Sequence, residues 1–283
     1  MKVLALLTLS ATVLAQSHAA APAAEHKPGA ASLPRINGHP NFSGVWQVMN
    51  SANWDIEPHL ARAALELRPG PVVPVPAKAI VALGAVGSVP GGGGVVVGGH
   101  IPYTPDALAK KQDNQAHYLE RDPEVKCDLP GIPRANYMPY PFEIVQSGKS
   151  MLFSYEYDGA VRDILFEDPG PAPIDSWMGQ SVGQWDGDTL VITVTGMNDS
   201  TWFDRAGNFH SADMKVVERF TLADANTIHY EAEITDPSTF TQPWKMSMNI
   251  YRRLGDDARL AQFKCVEFVE ELMYGDLRKE PLK

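Results

Sequence analysis

From Phe142 onward the chain alternates apolar and polar side chains with a period of two, in short runs broken by Gly, Pro, Asn or Asp. Alternation over about four to eight residues between such punctuators marks a half-buried strand. The pattern predicts strands over 142–146, 150–157 and 161–167, with turns at Ser147-Gly148 and Asp158-Gly159. Two more, 181–185 and 189–195, flank Asp186-Gly187, a strong hairpin signal. Runs at 214–222, 227–235, 245–254 and 260–268 complete an antiparallel series. Eight or nine strands at this spacing fit one antiparallel barrel or strongly curved sheet, lipocalin-like in outline.

The earlier half reads differently. Phe42-Ser43-Gly44-Val45-Trp46 starts the folded part as a strand, giving a single β-rich domain over 42–283. Ile56, Leu60, Ala63, Ala64 and Leu67 recur at three-to-four spacing and predict a short covering helix over 55–67. A second helix runs from Thr104 to about Leu119, with Thr as N-cap, Pro105 in the first turn and Asp106 facing the dipole. Between them, Pro69, Pro71, Pro74 and Pro76 precede Gly91-Gly92-Gly93-Gly94, so 69–99 reads as a long mobile loop. Its glycines lack the strand, spacing and helix of a phosphate-binding loop.

The first residues set an address. Lys2, the apolar run 3–14 and Ser17-His18-Ala19 read as a secretory signal peptide over 1–19, followed by a flexible leader over 20–41. The expected destination is the periplasm or the medium, with no membrane span after cleavage.

Composition narrows the partners. Thirty-four acidic residues oppose 24 Lys and Arg, for a formal charge of −10. That balance and the lack of a basic stripe count against nucleic acid as a partner. Cys127 and Cys265 are the two cysteines of the chain. In an oxidising compartment they are read as one disulfide, the alternative being two separate buried thiols.

Gly179-Gln180-Ser181-Val182-Gly183 matches the G-x-S-x-G nucleophile elbow of serine hydrolases. The elbow needs a strand that turns sharply into a helix. Ser181 instead enters a strand followed by a tight turn, so the reading is set aside. The two glycines fit a bulge or a close backbone approach.

Several blocks together, Phe42-Ser43-Gly44-Val45-Trp46, Lys126-Cys127-Asp128-Leu129-Pro130-Gly131-Ile132-Pro133-Arg134, Ser176-Trp177-Met178-Gly179, Thr201-Trp202-Phe203-Asp204-Arg205-Ala206-Gly207-Asn208-Phe209-His210-Ser211 and Phe263-Lys264-Cys265-Val266-Glu267-Phe268, resemble a large family of secreted bacterial proteins of unestablished activity. The resemblance implies a secreted single unit and carries no reaction.

The densest chemistry lies in 198–211. A histidine oriented by a carboxylate exchanges protons near neutral pH, so Asp204 with His210 forms the expected acid–base pair and Glu218 its third member. Each of them could equally be a turn cap or a backbone-bonded side chain. His210, Asp204 and His229 or His100 could also converge on a metal, but no spacing matches a ligand motif, and no metal or other cofactor is expected. A second set, Arg134, Tyr137, Tyr155, Glu156, Arg162, Trp177, Trp202 and Trp244, has the aromatic and charged character of a ligand wall. Glu156 and Arg162 form either a buried pair or a solvated cross-strand pair. Two functions follow: an acid–base enzyme of isomerase, lyase or hydrolase type acting on a small, partly apolar molecule in a barrel pocket, or a non-catalytic barrel that binds such a molecule.

Overall fold

A computed structural model of the protein describes residues 33–63 and 88–274. Nine strands close into a barrel in chain order: β1 (Gly44–Val48), β2 (Phe142–Gln146), β3 (Met151–Tyr155), β4 (Val161–Leu165), β5 (Gln180–Asp186), β6 (Thr189–Thr195), β7 (Lys215–Asp224), β8 (Thr227–Thr235) and β9 (Trp244–Arg252), with β9 returning to β1. The predicted β-rich barrel is therefore present, but it is mixed. β4 and β5 run parallel, paired at Ile164 with Ser181 and Leu165 with Val182, and every other neighbour is antiparallel.

Alternation sends one residue in two into the lumen. β6 buries Leu190, Ile192 and Val194; β8 buries Ile228, Tyr230, Ala232 and Ile234; β9 buries Trp244, Met246, Met248 and Ile250. With Trp46, Phe142, Phe153 and Phe220 they form one continuous core. Each such aliphatic or aromatic side chain is worth about 1.5–3 kcal/mol on burial, so the lumen is the main source of stability. The β5–β6 hairpin turns through Gly187-Asp188, one position later than the Asp-Gly signal suggests. Its first central residue, Gly187, has φ +60°, which a side chain would resist.

The expected strand over 260–268 is absent: the segment is irregular and leads into helix α3 (Val269–Tyr274). The edge of β9 it would have used is taken by β1, through Ile250 with Val48 and Arg252 with Trp46. The segment is instead tied down by the Cys127–Cys265 disulfide, whose Cα atoms stand 5.6 Å apart, and by Phe268 N donating to Val125 O at 2.8 Å. The helix expected over 55–67 is not formed in its described part, 55–63. Pro58 interrupts it, and His59 pairs in β fashion with Gly92. Residues 64–87 of the Pro/Gly-rich loop lie outside the described residues, as do 1–32 of the predicted signal peptide and leader. The end of that leader forms a small ribbon, with Ile36 paired to His39.

The predicted second helix is present as α1 (Pro105–Ala116) followed by the single turn α2 (Tyr118–Arg121). Thr104 caps α1 by accepting from Ala107 N at 3.4 Å. Trp202 and Phe209 pack with Ala107, Tyr118 and Leu119 in a satellite cluster. The loop 198–211 is pressed onto this helix through Gly207 (φ +82°), where a Cβ would lie 2.6 Å from Gln115 N. Among the described residues no helix is long and apolar enough to cross a membrane.

Candidate functional site

Two buried charge networks meet at one end of the barrel, joined by the 3-10 turn Arg134–Tyr137. The first lies in the lumen. On β4, Val161 and Asp163 face out, so Arg162 faces in; on β7, Glu218 falls between the inward Val216 and Phe220. A charge forced inward must find a partner, and these two find each other across the lumen, Arg162 Nη2 donating to Glu218 Oε2. Arg162 Nε donates to Ser181 Oγ at 2.7 Å. Glu218 Oε1 accepts from Asn136 Nδ2 at 2.7 Å and from the Tyr230 hydroxyl at 2.9 Å, and the Tyr155 hydroxyl donates to Asn136 Oδ1 at 2.8 Å. Burial pushes the Tyr155 hydroxyl well above the usual phenol range. Arg162 Nη1 is buried without a partner.

The second network lies at the rim. Arg134 holds Asp122 with two hydrogen bonds, at 2.7 and 3.1 Å, and reaches Glu124 Oε2 at 2.8 Å and Asn53 Oδ1 at 2.9 Å. Arg205, whose guanidinium sits 4.5 Å from the centre of the Trp54 ring, bridges Glu124 at 2.7 Å and Glu270 at 2.7 Å. Burial pushes the Glu124 carboxyl up, but Arg205 and Arg134 outweigh it and hold it at about 2. Glu270 Oε2 is buried and accepts no hydrogen bond.

Beside this network lies a pocket of about 190 Å³, lined by Tyr140, Tyr157 and Phe263, the acids Glu124 and Glu270, the cations Arg205 and Lys264, and Cys265. The rings pack together, Phe263 standing 4.9 Å from both tyrosines. Other clefts are open on the surface, among them one of about 530 Å³ over β5 and β6 lined by Gln180, Gln184, Thr193 and Lys215. One of about 520 Å³ lies between residues 49–54 and the glycines 91–94, and one of about 200 Å³ lies beside the stacked His39 and Trp185 rings, 4.2 Å apart.

The expected catalytic set is dispersed. Asp204 is buried and its carboxylate is fully used: Oδ1 accepts from Ala206 N and Asn208 N, and Oδ2 from Ile56 N and Asn208 Nδ2. Burial, then the neighbouring Asp55 carboxylate, pushes the Asp204 carboxyl up to about 7 against those donors. His210 has different partners. Its Nδ1 lies 2.8 Å from the Ser211 carbonyl, which can only accept, so Nε2 accepts from Thr201 Oγ1 at 2.6 Å. Burial lowers the His210 pKa and favours this neutral form. Glu218 belongs to the lumen network. His100 is exposed next to Glu57, and the exposed His229 faces Asn249, so neither joins His210.

The ligand-wall residues divide likewise. Arg134, Tyr155 and Arg162 enter the two networks, and Tyr137 donates to Phe203 O at 2.8 Å. Glu156 is not Arg162's partner; it accepts from Ala261 N at 2.7 Å. Trp244 packs edge-on against Phe203 and Phe240 with its Nε1 buried and unpaired, Trp202 sits under α1, and Trp177 packs half-buried on the main core. Asn53, Asp122, Glu124, Asn136, Arg205, Tyr230 and Glu270 were not anticipated. For Glu218 the alternation Val216, Phe220 signals the inward face, but nothing local marks Glu270. No family model, curated protein or solved structure matches the chain.

Proposed function

We propose that the protein is a secreted or periplasmic small-molecule-binding barrel whose ligand seats in the rim pocket. One observation carries this reading: three aromatic rings from separate segments and a carboxylate with an unused buried oxygen converge on one concave site, while the side chains suited to acid–base work are apart and already bonded. Aromatic walls with a few convergent polar groups are the usual make-up of a ligand site. The disulfide supports it, because it holds Phe263 and the segment leading to Glu270 against Glu124 and Tyr157. The Cys127–Cys265 loop spans 138 residues, and opening a loop of that length costs about 4–5 kcal/mol.

The test is native mass spectrometry of the protein purified from an envelope or medium fraction, followed by the same measurement on Phe263→Ala. A co-purifying small molecule retained by the parent and lost from the folded variant supports the reading. A ligand retained equally by both moves the site elsewhere. The acid–base reading keeps one favouring observation, the Asp204 carboxyl poised at about 7. It would be supported by turnover that falls on Asp204→Asn with the fold intact.

A further inference from the structure

Resting on the binding reading above, we infer that the rim pocket is selective for a small organic cation carrying N–H donors and an apolar body, an alkyl- or arylammonium. The charges of the buried network do not balance. Asp122, Glu124 and Glu270 supply three carboxylates, and Arg134 and Arg205 two guanidiniums. Arg134 is spent on Asp122 and Glu124, and Arg205 divides itself between Glu124 and Glu270. The excess falls on Glu270, whose Oε1 takes Arg205 Nη1 and whose Oε2 is buried with no donor. An unpaired buried oxygen of a carboxylate is costly, and an N–H donor from a bound molecule would remove that cost.

The rest of the wall has the matching chemistry. Tyr140, Tyr157 and Phe263 line the pocket, and aromatic rings attract a cation and shelter an apolar body. A volume of about 190 Å³ equals roughly six waters at about 30 Å³ each, the size of a single ring or a short chain. Lys264 also lines the pocket; it is exposed and among the described residues makes no ion pair. Arg205 lines the pocket too but is held by Glu124 and Glu270, so among the described lining residues Lys264 is the cation left to compete, and the ligand must displace its ammonium or share the site with it. An anion would meet Glu124 and Glu270 beside an Arg205 already engaged by both, and a neutral molecule would leave the charge excess in place.

The experiment titrates the full chain with three probes of one shape, 2-phenylethylammonium, 2-phenylethanol and 3-phenylpropionate, by calorimetry at low salt. The ammonium is expected to bind at least tenfold more tightly than the alcohol, with no binding of the carboxylate, and Lys264→Ala is expected to leave the ammonium's affinity equal or improved. Glu270→Gln should erase the preference for the ammonium over the alcohol. Because the comparison is made first on the parent protein, it holds even if that variant does not fold. Equal binding of ammonium and alcohol overturns the cation assignment and leaves the binding reading standing. No binding of any probe at millimolar concentration overturns the cation assignment and counts against the rim site itself.

Discussion

The lumen and rim networks are made of the same groups, arginines, carboxylates and amides, and both are buried, yet they end differently. In the lumen, both oxygens of Glu218 are met, by Arg162 on one side and by Asn136 and Tyr230 on the other. At the rim the chain of ion pairs runs from Asp122 through Arg134, Glu124 and Arg205 and stops at an oxygen of Glu270 with no hydrogen-bond donor among the described residues. Burial of charge therefore does not by itself mark a site. Each network leaves one buried atom unmatched, Arg162 Nη1 in the lumen and Glu270 Oε2 at the rim; the second belongs to a residue that lines a pocket, and there a ligand gains most. The turn Arg134–Tyr137 serves both, sending Arg134 to the rim and Asn136 to the lumen.

The contrast can be broken most severely in the lumen. Glu218→Leu leaves the Arg162 guanidinium buried without its counter-ion, and we expect about 3–5 kcal/mol of lost stability in urea denaturation. Adding Arg162→Met should recover most of it, since a well-packed apolar pair replaces a buried ion pair at little cost. Rim binding in the refolded double variant should match the parent. A double variant no more stable than the single one would show that the two charges are not coupled.

A second expectation concerns pH. The Asp204 carboxyl titrates at about 7 in the folded protein, against an ordinary value of 3.8. Between those limits the native state binds more protons than the unfolded chain, so stability falls as pH rises. The contribution is complete below about pH 4 and lost by about pH 7. Thermal melts across that window should show the decline in the parent and a flatter profile in Asp204→Asn. Parallel profiles would assign the slope to other groups.

The smallest effect is expected at Glu156, once a candidate for a buried pair. Its carboxylate holds Ala261 N, on the segment leading to Phe263, at the surface. Glu156→Ala should change stability by less than about 0.5 kcal/mol, as surface substitutions usually do, and weaken probe binding at the rim only slightly. A large loss at either readout would place Glu156 within the site.

What could be read in the sequence was what neighbouring residues decide. The alternation on β6 to β9, the Thr104 cap and the turn at Gly187 depend on contacts a few residues apart, and they stand close to where the pattern places them. The cysteine pair was legible by count alone. Sites depend on longer reach: Arg162 meets Glu218 across 56 residues and Arg205 meets Glu270 across 65. The nearness of Asp204 and His210 in sequence gave no guide, because the loop turns one towards Ile56 and the other towards Thr201. The strand expected over 260–268 failed for a related reason: a strand needs a free edge, and β1 had already taken it.

The odd number of strands has a consequence of its own. Around a ring, directions that alternate at every step return to their start only after an even count, so nine strands in sequence order must include one seam where two neighbours point the same way. That seam is β4 beside β5, and its ladder of two residue pairs is the shortest in the ring. Parity thus requires such a seam, its short ladder makes it the place where the cylinder is least firmly sewn, and amide exchange at Ile164 and Val182 should report the barrel's opening before any hairpin does.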